Sequence, residues 1–196
     1  MKLGIAVISG FTETERKSCG LDKIQRALDE LYKKTDNVEV YDLRQWKSDM
    51  RGLAELMKRD GITHAVIIGY SHGAGYASPL LARYLDKHEI AVKAALLCDP
   101  VYRPQWLPRW TLAQLLAIRA LIPESAVIKF PSNVSTIKGI RQDSSIPSGH
   151  KVIIEGREHP WHVALIERQG INHCTIDNAP EFQNLVFNNI AKILRS

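Results

Sequence analysis

Gly69-Tyr70-Ser71-His72-Gly73 is the stretch from which the rest of the sequence is best read. It follows His64-Ala65-Val66-Ile67-Ile68, a short run rich in apolar β-formers. It precedes a segment in which Leu80, Leu81, Tyr84 and Leu85 fall at helical spacing. The pattern G-x-S-x-G in this setting is a strand-to-helix turn. Such a turn strains the serine backbone, and side chains two residues before and after it would clash. It presents the serine hydroxyl above the sheet. It also puts the next backbone N–H, that of His72, at a helix N-terminus, where it can donate to an oxyanion. Ser71 is therefore the candidate nucleophile. The competing reading is a glycine-rich turn that only binds a ligand or closes the sheet. Gly75 suits close packing of the helix on neighbouring strands. Pro79 falls inside the expected helix, so a kink or a restart at Ser78-Pro79 is predicted.

The pattern repeats on either side. Leu3 to Ile8 is a continuous apolar run ending at Ser9-Gly10, as a strand buried on both faces reads. Leu21, Ile24, Leu28 and Leu31 recur at helical spacing, and Val38 to Leu43 reads as a second strand. Leu53, Leu56 and Met57 mark a helix that stops before Gly61, and Val92 to Cys98 is a strand ending at Asp99-Pro100. Strands alternating with helices imply βαβ units and a mostly parallel sheet with helices on both faces, a three-layer α/β/α architecture. Ligands of such sheets sit beyond the carboxyl ends of the strands. Chemistry is therefore expected at Gly10-Phe11, at Gly69 to Gly73 and at Asp99.

The second half is less regular. Val127 to Phe130 and Val134 to Ile140 are candidate strands. Lys151 to Glu155 and Trp161 to Glu167 suggest a hairpin around Gly156-Arg157-Glu158-His159-Pro160. Phe182, Leu185, Val186, Ile190 and Ile193 mark one face of a last helix. No linker or repeat interrupts residues 1–196, so a single domain is expected.

Composition narrows the function classes. Hydrophobic residues are 45% and charged residues 24% of the 196, the balance of an ordinary globular domain. No apolar run approaches the roughly 20 residues of a membrane span. The short apolar run after Met1-Lys2 lacks a small-residue cleavage site, and as a buried strand it points to a cytoplasmic protein. The net charge is +5, but Lys and Arg are spread along the chain, so no nucleic-acid footprint is expected. Cys19, Cys98 and Cys174 form no CxxC pair, which argues against a disulfide framework.

The elbow and the strand–helix alternation resemble the α/β-hydrolase superfamily, in a short, minimal form lacking the first strands of larger members. The resemblance implies a catalytic serine, acid and histidine in that chain order. His173 lies between the last strand and the last helix, where the superfamily places its base, and Asn172-His173-Cys174-Thr175-Ile176-Asp177 resembles its histidine loop. Two acids compete. Leu96-Leu97-Cys98-Asp99-Pro100 resembles the Asp-Pro of pancreatic-type lipases. Gly139, Asp143, Ile146 and Pro147 loosely resemble the superfamily's other acid loop, with one extra residue between Gly and Asp. Asp177 is too close to His173 in sequence to be the usual choice. The second oxyanion donor is expected after the first strand, from the N–H of Phe11 or Gly10, with Ser9 or Thr12 assisting.

Other histidines fit the base less well: His64 begins a strand, His88 ends a helix, and His150, His159 and His162 surround the expected hairpin. His159 and His162 lack a third ligand, so no metal site is expected. The reading is an esterase acting without metal or cofactor on a small-molecule ester. Thioesters and amides use the same parts, and a binding protein that kept the elbow without turnover is the alternative from another class. Residues 104–123 hold Trp106, Trp110, Leu112, Leu115, Leu116, Ile118 and Leu121. They read as a cap whose tryptophans wall an apolar acyl pocket, as a crossover helix, or as a homodimer contact.

Overall fold

Strand β1, Leu3–Ser9, is buried along its whole length, as its unbroken apolar sequence requires. A computed structural model describes residues 1–10, 20–103, 126–143, 148–157 and 162–196 of the chain. Around β1 stand β2 (Val38–Gln45), β3 (His64–Tyr70), β4 (Ala91–Cys98), β6 (Ile137–Gln142) and β8 (Val163–Arg168), in the order β2-β1-β3-β4-β6-β8. Every pairing in this six-stranded sheet is parallel. Strands β5 (Val127–Phe130) and β7 (Lys151–Ile154) form a separate parallel pair.

Alternation along the central strands divides the core. Ile5, Val7, Val66, Ile68, Ala94 and Leu96 face helices α1 (Gly20–Tyr32) and α4 (Pro180–Arg195), meeting Leu21, Ile24, Leu28, Phe182, Val186 and Ile190. Ala6, Ile8, Ala65, Ile67, Ala95 and Leu97 face α2 (Met50–Arg59) and α3 (Ser78–Lys87), meeting Leu53, Met57, Leu81 and Leu85. The small sheet joins this second layer through Ile128, Phe130, Val152 and Ile154. The fold is α/β, three-layered and parallel, as expected. Each fully buried Leu or Ile contributes about 1.5–3 kcal/mol relative to exposure, so the two apolar layers are the main stabilising term.

Local signals account for the element ends. Asp49 caps α2 by accepting from the Arg51 N–H at 3.1 Å. Gly61, at φ +73°, ends the same unit. The helix after Ser71 opens as a wide i→i+5 turn over Gly73–Ala77 and becomes regular only at Ser78–Lys87. Pro79 has no N–H to continue the earlier ladder, and it stands in the first turn of α3, the position proline tolerates. The Ser78 N–H and hydroxyl both donate to the Gly73 carbonyl, the hydroxyl at 2.8 Å.

Three expectations are corrected. The hairpin is absent: β7 pairs with β5 and β8 with β6, each in parallel. Val152 and Ile154 are buried with Ile128 and Phe130 over the α3 layer, so β7 belongs to the small sheet. The expected strand Val134 to Ile140 runs instead from Ile137 to Gln142, with Val134 making only an isolated bridge to Val92. Leu31 follows the helical spacing of α1 but is 60% exposed.

Gly75 shows how tightly the elbow is packed. A Cβ there would lie 2.0 Å from the Val101 carbonyl oxygen, which is backbone and cannot swing aside. Gly61 has open space and only its positive φ to defend. Gly75→Ala is therefore expected to cost about 3 kcal/mol from overpacking, and Gly61→Ala about 1 kcal/mol from left-handed strain. Urea denaturation measures both; equal losses would mean that the Val101 contact yields freely.

Candidate active site

The chain turns back at β1, with β2 on one side of it and β3 on the other. Such a switch point opens a crevice beyond the carboxyl ends of the strands, and Ser9, Gly10 and Ser71 stand there. Ser71 has φ 54°, the left-handed region, and is 3% exposed. Its N–H donates to the Cys98 carbonyl at 3.0 Å, and its own carbonyl accepts from Val101 at 3.0 Å and Gly75 at 2.9 Å. The flanking glycines are required by contact. A Cβ on Gly69 would meet Ala74 backbone at 2.8 Å, and one on Gly73 would meet the Ile8 carbonyl oxygen at 2.4 Å.

Ser71 Oγ lies 2.8 Å from His173 Nε2, and His173 Nδ1 lies 2.5 Å from Asp99 Oδ2. A serine, an imidazole and a carboxylate thus form one hydrogen-bonded chain from three separate parts of the sequence. His173 sits in the loop between β8 and the short 3-10 turn Ile176–Asn178 that precedes α4. Asp99 directly follows β4, is fully buried, and has φ 43°. Asp143, the rival acid, is exposed just past β6, and the carboxylate on His173 Nδ1 is that of Asp99. Asp177 does other work: its Oδ2 accepts from the Gly20 N–H at 2.5 Å, capping α1.

The expected oxyanion donors are placed in part. His72 begins the helix after Ser71 with helical dihedrals, so its N–H has no carbonyl four residues back within the helix. Gly10 adjoins Ser71: a Cβ built on it would lie 2.9 Å from the Ser71 Cβ. Phe11, Thr12, Cys19, Trp106, Trp110, the whole 104–123 segment, Ile146, Pro147 and His159 lie outside the described residues. His64 lies next to the Thr63 hydroxyl at 3.0 Å, and His162 Nδ1 is 3.2 Å from the Ser135 carbonyl oxygen. No cluster of three metal-ligating side chains occurs among the described residues.

Several neighbours were not foreseen. Tyr70, the variable residue before the serine, stacks on the His173 ring at 5.1 Å between centroids, and its hydroxyl donates to the His173 carbonyl. Gln142 donates to both oxygens of Asp99, from its N–H at 3.1 Å and its Nε2 at 2.9 Å. His72 lies 5.5 Å from Trp46, over which the buried Arg103 guanidinium sits at 4.7 Å. Position could have flagged them: Trp46, Arg103 and Gln142 each lie within a few residues of a strand's carboxyl end.

No protein-family model matches the sequence, and no curated protein sequence does either. Among solved structures, one from Agrobacterium vitis S4, whose hydrolase assignment is provisional, is similar at a TM-score of 0.55 and 12% identity, over 97% of this chain and 87% of that one. That likeness shows the fold. The RedJ thioesterase of Streptomyces coelicolor gives 0.48 at 11% identity, over 95% of this chain and 84% of that one. The Vlm2 thioesterase domain gives 0.45 at 13%, over 96% and 92%. At those two TM-scores the likeness is too loose to argue from.

Burial holds the His72 imidazole down to about pKa 3, and Arg103, His173 and His150 add to the effect. An unfolded histidine titrates near its ordinary value of 6.5. Between these two values the unfolded chain binds the extra proton, so the stability His72 contributes is complete above about pH 6.5 and declines as pH falls toward about 3. His72→Asn should flatten the fall of the urea midpoint with acidification. An unchanged slope would remove His72 from the acid sensitivity of the fold.

Proposed function

We propose that this protein is a serine hydrolase that cleaves carboxylic esters through an acyl-enzyme. The observation that carries the reading is the continuous hydrogen-bonded chain from Ser71 Oγ through His173 to Asp99, ending on a serine held at positive φ. A structural serine on a glycine-rich turn has no need of an imidazole 2.8 Å from its oxygen, nor of a buried carboxylate behind that imidazole.

The chemistry follows from these atoms. His173 Nε2 takes the proton from Ser71 Oγ as that oxygen attacks the acyl carbon. The carbonyl oxygen gains negative charge and is met by backbone N–H groups, that of His72 and one from the end of β1, at Gly10 or Phe11. Asp99 keeps Nδ1 as the donor nitrogen and stabilises the imidazolium that forms. The tetrahedral centre collapses, the C–O bond to the leaving group breaks, and His173 returns its proton to the departing alcohol. Water, deprotonated by His173, then attacks the acyl carbon and releases the acid and Ser71. Thioesters and amides differ only in the leaving atom. Trp106 and Trp110 remain the sequence-based candidates for an acyl pocket, and the chain-length dependence of ester cleavage reads that role.

Incubation with a fluorophosphonate is expected to add one phosphonyl group at Ser71, found by peptide mass spectrometry, and Ser71→Ala should abolish both labelling and ester hydrolysis. Asp99→Asn should lower kcat by about a thousandfold or more, while Asp143→Asn stays within about twofold. An unlabelled, inactive wild type would leave a binding protein as the better reading. A larger loss at Asp143 would reassign the acid.

A further inference from the structure

Asp99 is the most confined ionisable group in the site. It is fully buried, at φ 43°, and its carboxylate has three described donors. One is His173 Nδ1 on Oδ2. The other two belong to a single residue, Gln142, whose N–H reaches Oδ1 at 3.1 Å and whose Nε2 reaches Oδ2 at 2.9 Å. Gln142 is itself 1% exposed. The sheet register sets this clamp. Ile140 lies opposite Cys98 in the β4–β6 pair, and the Asp99 N–H donates to the Ile140 carbonyl at 2.8 Å. Two residues further on, Gln142 comes level with the carboxylate.

We propose that Gln142 is a positioning residue for the proton relay. It acts through Asp99 and touches no reacting atom, and the proposal rests on the hydrolase reading above. Two donors from one side fix the carboxylate plane, so that one oxygen faces the imidazole. The Nε2 bond falls on the same oxygen that holds His173. It holds that oxygen in place as the acceptor of the imidazole N–H, at 2.5 Å from Nδ1. A glutamate of the same shape would place an acceptor where Asp99 needs a donor and add negative charge beside the imidazole. Among the described residues the ionisable neighbours on the surrounding elements are His173, with Tyr70 stacked on its ring and His72 and Arg103 beyond Ser71, His150 before β7, whose N–H donates to the Pro100 carbonyl at 2.7 Å, and Arg141 and Asp143 on either side of Gln142. Arg141 is paired with Glu167 at 3.3 Å.

Labelling rate by a fluorophosphonate, and kcat and KM for p-nitrophenyl acetate, are measured between about pH 5 and about pH 9. Failure of the wild type to label at Ser71 defeats the hydrolase reading, and Gln142 with it. In a labelled wild type, Gln142→Glu is expected to move the acidic limb of the pH–rate profile upward by about one unit, because added negative charge favours the protonated, inactive imidazole. Gln142→Met should lower kcat about tenfold with KM within about twofold. An acidic limb unmoved in Gln142→Glu, together with a kcat within about twofold in Gln142→Met, would overturn the proposal while leaving the hydrolase reading intact. Should neither variant fold by circular dichroism, the wild type decides. In 15N-glutamine-labelled protein one side-chain amide should shift with the pH midpoint of the labelling rate, and that response should vanish in Asp99→Asn. No such amide would overturn the proposal.

Discussion

Three backbone hydrogen bonds hold Ser71 in a left-handed conformation, which alone costs on the order of 1–3 kcal/mol. Two of them come from β4 and the segment just past it: Cys98, the last residue of β4, accepts from Ser71, and Val101 donates back to it. The third is the first rung of the helix, from Gly75. The same short stretch, Cys98 to Val101, carries Asp99, the second strained residue, at φ 43°. Ser71 and Asp99 are thus not placed independently. The backbone that forces Ser71 upward is the backbone that delivers the carboxylate, so the spacing between strands β3 and β4 fixes the distance available to the imidazole between them.

The imidazole is held differently. His173 lies on a loop, and loops position side chains less firmly than strands do. Its ring rests on Tyr70, and its carbonyl accepts the Tyr70 hydroxyl. Tyr70 is itself the last residue of β3. The strand that leads into Ser71 therefore also anchors His173, and the loop borrows rigidity from the sheet. On the opposite side of the elbow, Trp46, His72, Tyr76 and Arg103 form an aromatic and cationic cluster. There burial, with the Arg103 cation adding to it, keeps the His72 ring neutral, so the residue next to Ser71 adds no charge of its own.

Much of this was legible in the order of residues, for identifiable reasons. A strand buried on both faces reads as an unbroken apolar run, and β1 did; β3 and β4 read so over residues 65–68 and 94–98. The elbow is legible because its glycines are demanded by backbone contact. His173 and Asp99 were singled out by position, one before the last helix and one after a strand, and the structure brings both to Ser71. What stayed hidden depends on pairing across the sheet. Gln142 looks like any polar strand end until the β4–β6 register sets it beside Asp99. Tyr70 reads as an ordinary β-former. The false hairpin arose because two short apolar segments with a turn between them carry no mark of which other strand each will choose. Leu31 obeyed the helical period yet faces out, since period alone does not say where a core ends.

The α1 cap ties distant parts of the chain together. The first N–H of that helix, at Gly20, finds its carboxylate at Asp177, 157 residues further on. Lys23 adds a second tie to Asn178 at 2.8 Å. During synthesis, α1 is made early and must wait with an unsatisfied end until the His173 loop emerges. Closing so long a loop is slow and is repaid only late in folding. The docking that caps α1 is also the docking that brings His173 to Ser71. A chain with its sheet already half built would still hold Ser71, His173 and Asp99 apart, and their hydrogen-bonded chain would close only with that late contact.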